Sequence, residues 1–100
     1  MEQLGRKDDK GKPRWYLIPW TCMKEVAEVL TSGADRYGDH NWTQVENPGD
    51  RYFSACMRHL TAWVHGEKKD LDSGRHHLAH AICCILFLMW FDRRNSESKT

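Results

Sequence analysis

The chain has 100 residues, a length that accommodates one small domain with a modest core. Its 15 basic and 14 acidic side chains leave a net charge of +1, so the composition gives no indication of bulk binding to a nucleic-acid polymer. The longest nearly apolar run, residues 78–91, is shorter than the roughly 20 residues that a membrane-spanning helix needs. We therefore expect a small globular protein with neither a membrane nor a nucleic-acid partner.

The cysteines and the N-terminus indicate a cytoplasmic protein. The four cysteines show neither a CxxC pair nor the spacing of a zinc site. We interpret the adjacent Cys83 and Cys84 as small apolar core residues in a reducing compartment. Residues 1–13 are charged and lack the apolar segment of a signal peptide, so we predict a flexible polar arm there.

An apolar segment and a first helix are expected after this arm. RWYLIPW (14–20) is apolar and contains Pro19, which predicts an extended segment packed on the domain. The helix is expected to start between Pro19 and Thr21 and to end at Tyr37-Gly38, where glycine favours a helix stop. Apolar residues recur between these points at helical spacing, namely Met23, Val26, Ala27, Leu30 and Ala34.

Two further helices are predicted downstream of a loop at residues 38–49. Asp50 is expected to cap the second helix, which extends to about His65 with apolar residues three and four apart. After a second loop, Asp72 or Ser73 is expected to cap a third helix that reaches about residue 92. The last residues, 93–100, are predicted to be a frayed tail.

The third helix suggests the architecture, because its apolar residues between 78 and 91 occupy every side. In a soluble protein such a helix must be covered all round. Two neighbouring helices cannot easily cover it. We therefore predict an all-α three-helix bundle with an N-terminal extended segment, a single domain over residues 14–92, which forms a homo-oligomer through the third helix.

Acidic pairs three residues apart occur on the first helix and in the second loop. Glu25 and Glu28 form one pair, and Glu67 and Asp70 form the other. Carboxylates at this spacing can hold Mg²⁺, which prefers oxygen ligands. The first pair is also typical of a solvated helix face, and the second of acids that stabilise a helix N-terminus, so both alternatives stay open.

Three histidines are candidates for chemistry on the second and third helices. His77 and His80 share one face of the third helix, and His59 lies near the apolar side of the second. Three imidazoles can bind zinc, but the HExxH spacing is absent. For His80 we favour a hydrogen-bonded core histidine over a metal ligand, and contact with a phosphate or base stays open.

Aromatic and basic residues flank the first loop. Aromatic rings stack on bases, asparagine can hydrogen-bond to a base edge, and arginine pairs bidentately with phosphate. These residue types predict a mononucleotide site made by Tyr37, His40, Asn41, Trp42, Tyr52, Arg36, Arg51 and Arg58. The alternative is that Tyr37 and Trp42 only anchor the loop to the core.

Three segments together carry a resemblance to a known family: KPRWYLIPW (12–20), GADRYGDHNW (33–42) and the stretch over residues 51–88 that contains GEKKDLDSGRHHLAHA. As an ordered set they resemble the N-terminal domain family of phage and bacterial dATP/dGTP diphosphohydrolases, which is similar to the MazG-like all-α pyrophosphatases. The resemblance implies a purine deoxynucleotide ligand and cleavage between its α and β phosphates, releasing a monophosphate and pyrophosphate.

We therefore predict a Mg²⁺-dependent purine nucleoside triphosphate diphosphohydrolase of the host cytosol. The predicted metal ligands are Glu25, Glu28, Glu67 and Asp70. The predicted catalytic residues are Glu67, Asp70, His59, His77 and His80, and the predicted nucleotide contacts are Arg58, Arg51, Tyr37, Asn41 and Trp42. One rival is a metal-free phage protein that sequesters a nucleotide or a cyclic-nucleotide immune signal, and another is a helical interaction protein without a small ligand.

Overall fold

Three α-helices form the protein, which a computed structural model describes over residues 4–98. They are α1 (Trp20–Tyr37), α2 (Pro48–Val64) and α3 (His77–Ser98). No β-strand occurs in the described part of the chain, where the one β-type pairing is an isolated bridge. The predicted all-α class is confirmed.

The first helix begins and ends where the sequence predicts. Pro19 precedes its first turn in an extended conformation, as suits a residue with a fixed φ and no N–H to donate. Gly38 ends the helix with φ 98°, and its N–H donates to the carbonyl of Ala34 at 2.8 Å. This conformation favours glycine, and it turns the chain into the loop that carries Asn41 and Trp42.

The second helix begins slightly earlier than predicted, and the third begins later. Pro48 opens α2, two positions before Asp50, because proline suits the first turn of a helix. The prediction that Asp72 or Ser73 caps α3 is wrong, since α3 starts at His77. The Ser73 N–H instead donates to Asp70 Oδ2 at 2.9 Å, which closes a local turn before the helix.

Both ends of the domain also differ from expectation. α3 continues through residues 93–98, where a frayed tail was predicted, and Arg94 lies 5.2 Å from the ring centre of Trp90 one turn earlier. Residues 99–100 of that tail, and residues 1–3 of the predicted arm, lie outside the described part. The segment 14–20 forms a short 3-10 turn with largely exposed side chains, so its predicted packing on the domain is not found in the single chain.

The core has α3 at its centre, with α1 and α2 packed on different sides of it. Small residues make this close packing feasible, because short side chains let helix backbones approach. Ala79 and Cys83 pack with Val26 of α1, and Ala81 and Cys84 pack with Cys56 of α2. The interpretation of Cys83 and Cys84 as buried core residues is confirmed.

Another side of α3 stays open. Ile85, Leu86 and Met89 are each more than two-fifths exposed in the single chain. Coverage of this side by another subunit stays a prediction. Within residues 4–98, no helix combines the length and the apolar character that crossing a bilayer would require.

Candidate functional site

A groove of about 1180 Å³ lies beside α3. The second half of α1, the loop after it and the first turns of α2 provide its walls, and α3 contributes residues from His80 to Trp90. Its polar lining includes Arg36, Arg51, Arg75, Asn41, Ser73 and His80. Basic and hydrogen-bonding groups of this kind suit an anionic, polar ligand.

Three histidines from α2 and α3 meet beside this groove. His59 Nδ1 lies 2.9 Å from His77 Nδ1, and the His59 ring stacks on the His80 ring with 4.5 Å between their centres. His77 is buried, with 4% of its surface exposed, whereas His80 lines the groove. The spacing of three residues lets His77 and His80 both reach His59, because such residues are neighbours on a helix.

Loop side chains set the orientation of these imidazoles. Glu67 Oε1 lies 2.8 Å from His77 Nε2. A carboxylate only accepts hydrogen bonds, so His77 carries a proton on Nε2. Ser73 Oγ lies 2.7 Å from His80 Nε2, and it also accepts a hydrogen bond from the Arg75 backbone N–H at 3.1 Å. The loop between α2 and α3 therefore holds two of the three rings.

Burial and neighbouring charge decide the protonation of the cluster. Burial is the largest of the effects that lower the pKa of His59 to about 4, and the neighbouring His80 and His77 contribute in the same direction. Burial likewise lowers the pKa of His80. Burial by itself would raise the pKa of Asp70, but hydrogen bonds from Ser73 outweigh it and the pKa is lowered. Near pH 7 the neutral imidazoles of His59 and His80 therefore lie beside the ionised carboxylate of Asp70.

Comparison with known proteins places the chain in a family. The family described as "dATP/dGTP diphosphohydrolase, N-terminal" matches residues 2–100. The chain belongs to this family. The resemblance predicted from the sequence is thus confirmed.

A relative shows how much of a longer protein this family domain represents. A dATP/dGTP diphosphohydrolase of Salmonella phage PMBT28 is 35% identical over 86 residues. The alignment covers 86% of this chain and 29% of the relative, so the chain spans less than a third of the relative's length. No solved structure matches the chain.

Most of the predicted nucleotide contacts of this diphosphohydrolase-family domain lie along the groove. Tyr37, Asn41, Trp42 and Arg51 line it, whereas Arg58 lies elsewhere on α2. Tyr37 is 64% exposed, so much of its ring surface is accessible.

Trp42 has a second environment, in an aromatic cluster with α3. Its ring stacks on Phe87 with 4.4 Å between centres, and the edge of Trp90 approaches it at 5.0 Å. The Tyr52 hydroxyl donates to the Trp42 carbonyl at 3.0 Å. Trp42 therefore anchors the loop, which was the alternative interpretation of this residue.

The carboxylates predicted to hold Mg²⁺ do not form one cluster in the described part of the family domain. Glu28 pairs with Arg75, Glu67 bonds to His77, and Glu25 is exposed on α1. The predicted arrangement of four carboxylates around Mg²⁺ is therefore not observed, because Glu28 contacts Arg75 and Glu67 contacts His77. Between residues 4 and 98, one group of three possible metal ligands has its ligand atoms within 4.8 Å of one another: His59, Asp70 and His77.

Two residues near the site were not among the predicted site residues. Ser73 was expected to cap a helix, and Arg75 was given no role, yet both line the groove. Their positions depend on the fold of the loop before α3, so no periodic pattern marks them. The Ser-Gly step at 73–74, where Gly74 has φ 72°, is the one local signal of a turn there.

Proposed function

We propose that this chain binds a purine deoxynucleoside triphosphate in the groove and hydrolyses it to a monophosphate and pyrophosphate. The observation that carries the proposal is the groove lining, in which arginines from three different segments accompany an exposed tyrosine and an asparagine. Membership of the dATP/dGTP diphosphohydrolase N-terminal family supports the same substrate class.

The arginines supply the charge that a triphosphate needs. Arg36 on α1 and Arg51 on α2 line the groove from two separate helices, and Arg75, which also pairs with Glu28, lines it from the loop before α3. Guanidinium groups pair bidentately with phosphate oxygens, so groups from several walls can hold an extended triphosphate. Asp39 and Asp72 also line the groove and disfavour anions near them, which favours phosphate placement close to the arginines.

The rim of the groove supplies groups that suit a base. The exposed ring of Tyr37 offers a stacking surface, and Asn41 offers both a donor and an acceptor to a base edge. The Arg36 guanidinium lies 5.7 Å from the centre of the Tyr37 ring, so charge and stacking surface are adjacent. This adjacency suits a ligand whose base and phosphates are close together.

His80 is the cluster imidazole that lines the groove, and we assign it the proton transfer. Its lowered pKa keeps it neutral near pH 7, so it can accept the proton of an attacking water. The water oxygen forms a bond to the α-phosphorus, and the bond from that phosphorus to the bridging oxygen breaks. Pyrophosphate leaves with the electron pair, and the water's proton passes to the imidazole. The His59 ring stacks on the face of the His80 ring, and Ser73 Oγ lies within hydrogen-bond distance of His80 Nε2, so both contacts hold the ring in place.

Mg²⁺ dependence belongs to this proposal as a prediction. The predicted carboxylates are dispersed, so we assign the ion no set of protein ligands and no step in the reaction. Mg²⁺ commonly binds to substrate phosphates and needs few protein ligands. A requirement for Mg²⁺ in hydrolysis is therefore compatible with dispersed carboxylates.

The test is incubation of the purified chain with dATP, dGTP, ATP, GTP and cyclic nucleotides, in Mg²⁺ or in EDTA. Chromatography follows both the free ligand and the ligand released from the protein by heat. Arg51→Ala is expected to weaken binding about tenfold or more, because a charge-assisted contact contributes roughly 1.5 to 3 kcal/mol. Arg93→Ala, near the end of α3 and away from the groove lining, is the matched control.

Each outcome has a distinct meaning. Mg²⁺-dependent release of monophosphate and pyrophosphate supports hydrolysis by this chain alone. Ligand that is depleted from solution and later released intact overturns hydrolysis and supports sequestration. Failure of every nucleotide to bind or to raise the Tm overturns both, because a specific ligand stabilises the folded state by mass action.

A further inference from the structure

We propose that His59, Asp70 and His77 form a binding site for one divalent transition-metal ion, with Glu67 as a positioning residue. The three side chains come from α2, from the loop after it and from the first turn of α3. Their ligand atoms all lie within 4.8 Å of one another. The proposal concerns metal binding and does not depend on nucleotide hydrolysis.

The spacing of the two imidazoles suits a shared ion. His59 Nδ1 and His77 Nδ1 face each other at 2.9 Å. Two imidazole nitrogens bound to one ion at about 2.1 Å lie roughly 3.0 to 3.4 Å apart for ligand angles between 90° and the tetrahedral value. An ion can therefore enter between the rings with a ring movement of a few tenths of an ångström.

Glu67 orients His77, the buried ligand of the proposed site. It does so as carboxylates do when they accept a hydrogen bond from the second ring nitrogen of a metal-bound histidine. The Glu67 carboxylate accepts the His77 Nε2 hydrogen at 2.8 Å, so Nδ1, which faces His59, is the ring nitrogen that can present a lone pair to an ion. Carboxylates in this position fix the tautomer of a metal-binding histidine and raise its basicity. The Glu67 contact thus gives His77 the tautomer that a metal ligand requires.

Without an ion, the two facing nitrogens share one proton. Because His77 carries its hydrogen on Nε2, the hydrogen between the rings belongs to His59 Nδ1. On metal binding this proton is transferred to His59 Nε2 by exchange with solvent, so the ring stays neutral and the ion takes the place of the proton between the rings. The charge of the ion is balanced in part by Asp70, whose Oδ2 is held by the Ser73 N–H.

The donor atoms decide which ions fit. Two imidazole nitrogens with one carboxylate oxygen favour ions such as Zn²⁺, Co²⁺, Mn²⁺ or Fe²⁺ over Mg²⁺, which prefers a shell of oxygen atoms. Three protein ligands leave coordination positions for water or for a ligand oxygen. His80 stacks on His59 and lines the groove, so the proposed centre lies one imidazole away from the groove.

The test is direct metal binding by the full chain after removal of metals with a chelator. Co²⁺ is titrated while its visible absorption is recorded, and Zn²⁺ binding is measured by calorimetry. We expect one ion per chain, an absorption band typical of nitrogen and oxygen ligands, and binding that persists in excess Mg²⁺. Glu67→Gln is expected to weaken affinity about tenfold or more, as loss of a supporting carboxylate does.

Variants separate the site from adventitious binding to surface histidines. Asp70→Asn keeps an oxygen that can accept the Ser73 hydrogen bond but loses the charge, and His59→Gln removes an imidazole. Both are expected to weaken Co²⁺ binding more than tenfold, with helix content unchanged by circular dichroism. His65→Gln, an exposed histidine on the chain just after α2, is the matched control and is expected to bind like the wild type.

Two results would overturn the proposal. One is the absence of stoichiometric Co²⁺ or Zn²⁺ binding by the wild-type chain. The other is equal binding by the wild type and Asp70→Asn, since that variant retains the local hydrogen bond. Either result would leave Glu67, His77 and His59 as a metal-free chain of hydrogen bonds.

Discussion

At the scale of single residues, the cysteines divide into two chemical classes. Burial raises the pKa of Cys83 to about 12 and that of Cys84 to about 11, and it also raises the pKa of Cys56. The thiolate is the reactive form, so a raised pKa leaves these groups protonated and inert at pH 8. Cys22 is exposed on α1.

We predict that iodoacetamide at pH 8 modifies the native protein at Cys22 alone. Mass spectrometry after brief labelling should find one added group per chain, and labelling in denaturant should find all four cysteines modified. Rapid modification of Cys83 in the native protein would contradict the described packing of α3 against α1.

At the scale of secondary structure, two glycines of the first helical region have opposite roles. Gly33 lies inside α1, where a Cβ would meet no atom within 4 Å. Gly38 ends the helix with φ 98°, a conformation that other residues rarely adopt.

We expect alanine to act in opposite directions at these two positions. Gly33→Ala should stabilise the fold by about 0.5 to 1 kcal/mol, because alanine loses less backbone entropy in a helix. Gly38→Ala should destabilise it by about 1 to 3 kcal/mol, because a residue with a Cβ is strained at φ 98° and ψ 153°. Urea unfolding followed by circular dichroism measures both, and a neutral Gly38→Ala would argue against the described helix end.

The helices also show which features a sequence pattern can predict. α1 is predicted well because its apolar period, an opening proline and a closing glycine all agree. The start of α3 was predicted too early, because acidic and serine residues before an apolar run are typical of a helix cap. In the structure the Ser73 N–H donates to Asp70 and closes a separate turn before the helix. The contact between His59 and His77 depends on how α2 packs on α3, which periodicity alone does not specify.

At the scale of the whole molecule, the single chain is more extended than its length suggests. Its radius of gyration is 17.9 Å, whereas a compact domain of this length has about 13 Å. The aromatic segment at 14–20 is largely exposed, as is one side of α3. Large exposed apolar side chains on a small domain are typical of surfaces that another chain covers.

The open side of α3 belongs to a helix whose sequence is apolar all round, so a second chain is expected to cover it. We expect the protein to be a homo-oligomer whose interface includes Met89, which is 55% exposed in the single chain. Met89→Lys places a charge in this interface and should shift the mass from light scattering toward the 11.8 kDa of one chain. Met57→Lys makes the same change on α2, at a methionine that is 44% exposed, and should leave the oligomer intact. A wild-type mass equal to one chain, or equal effects of the two substitutions, would contradict an interface through α3, because only Met89 belongs to that helix.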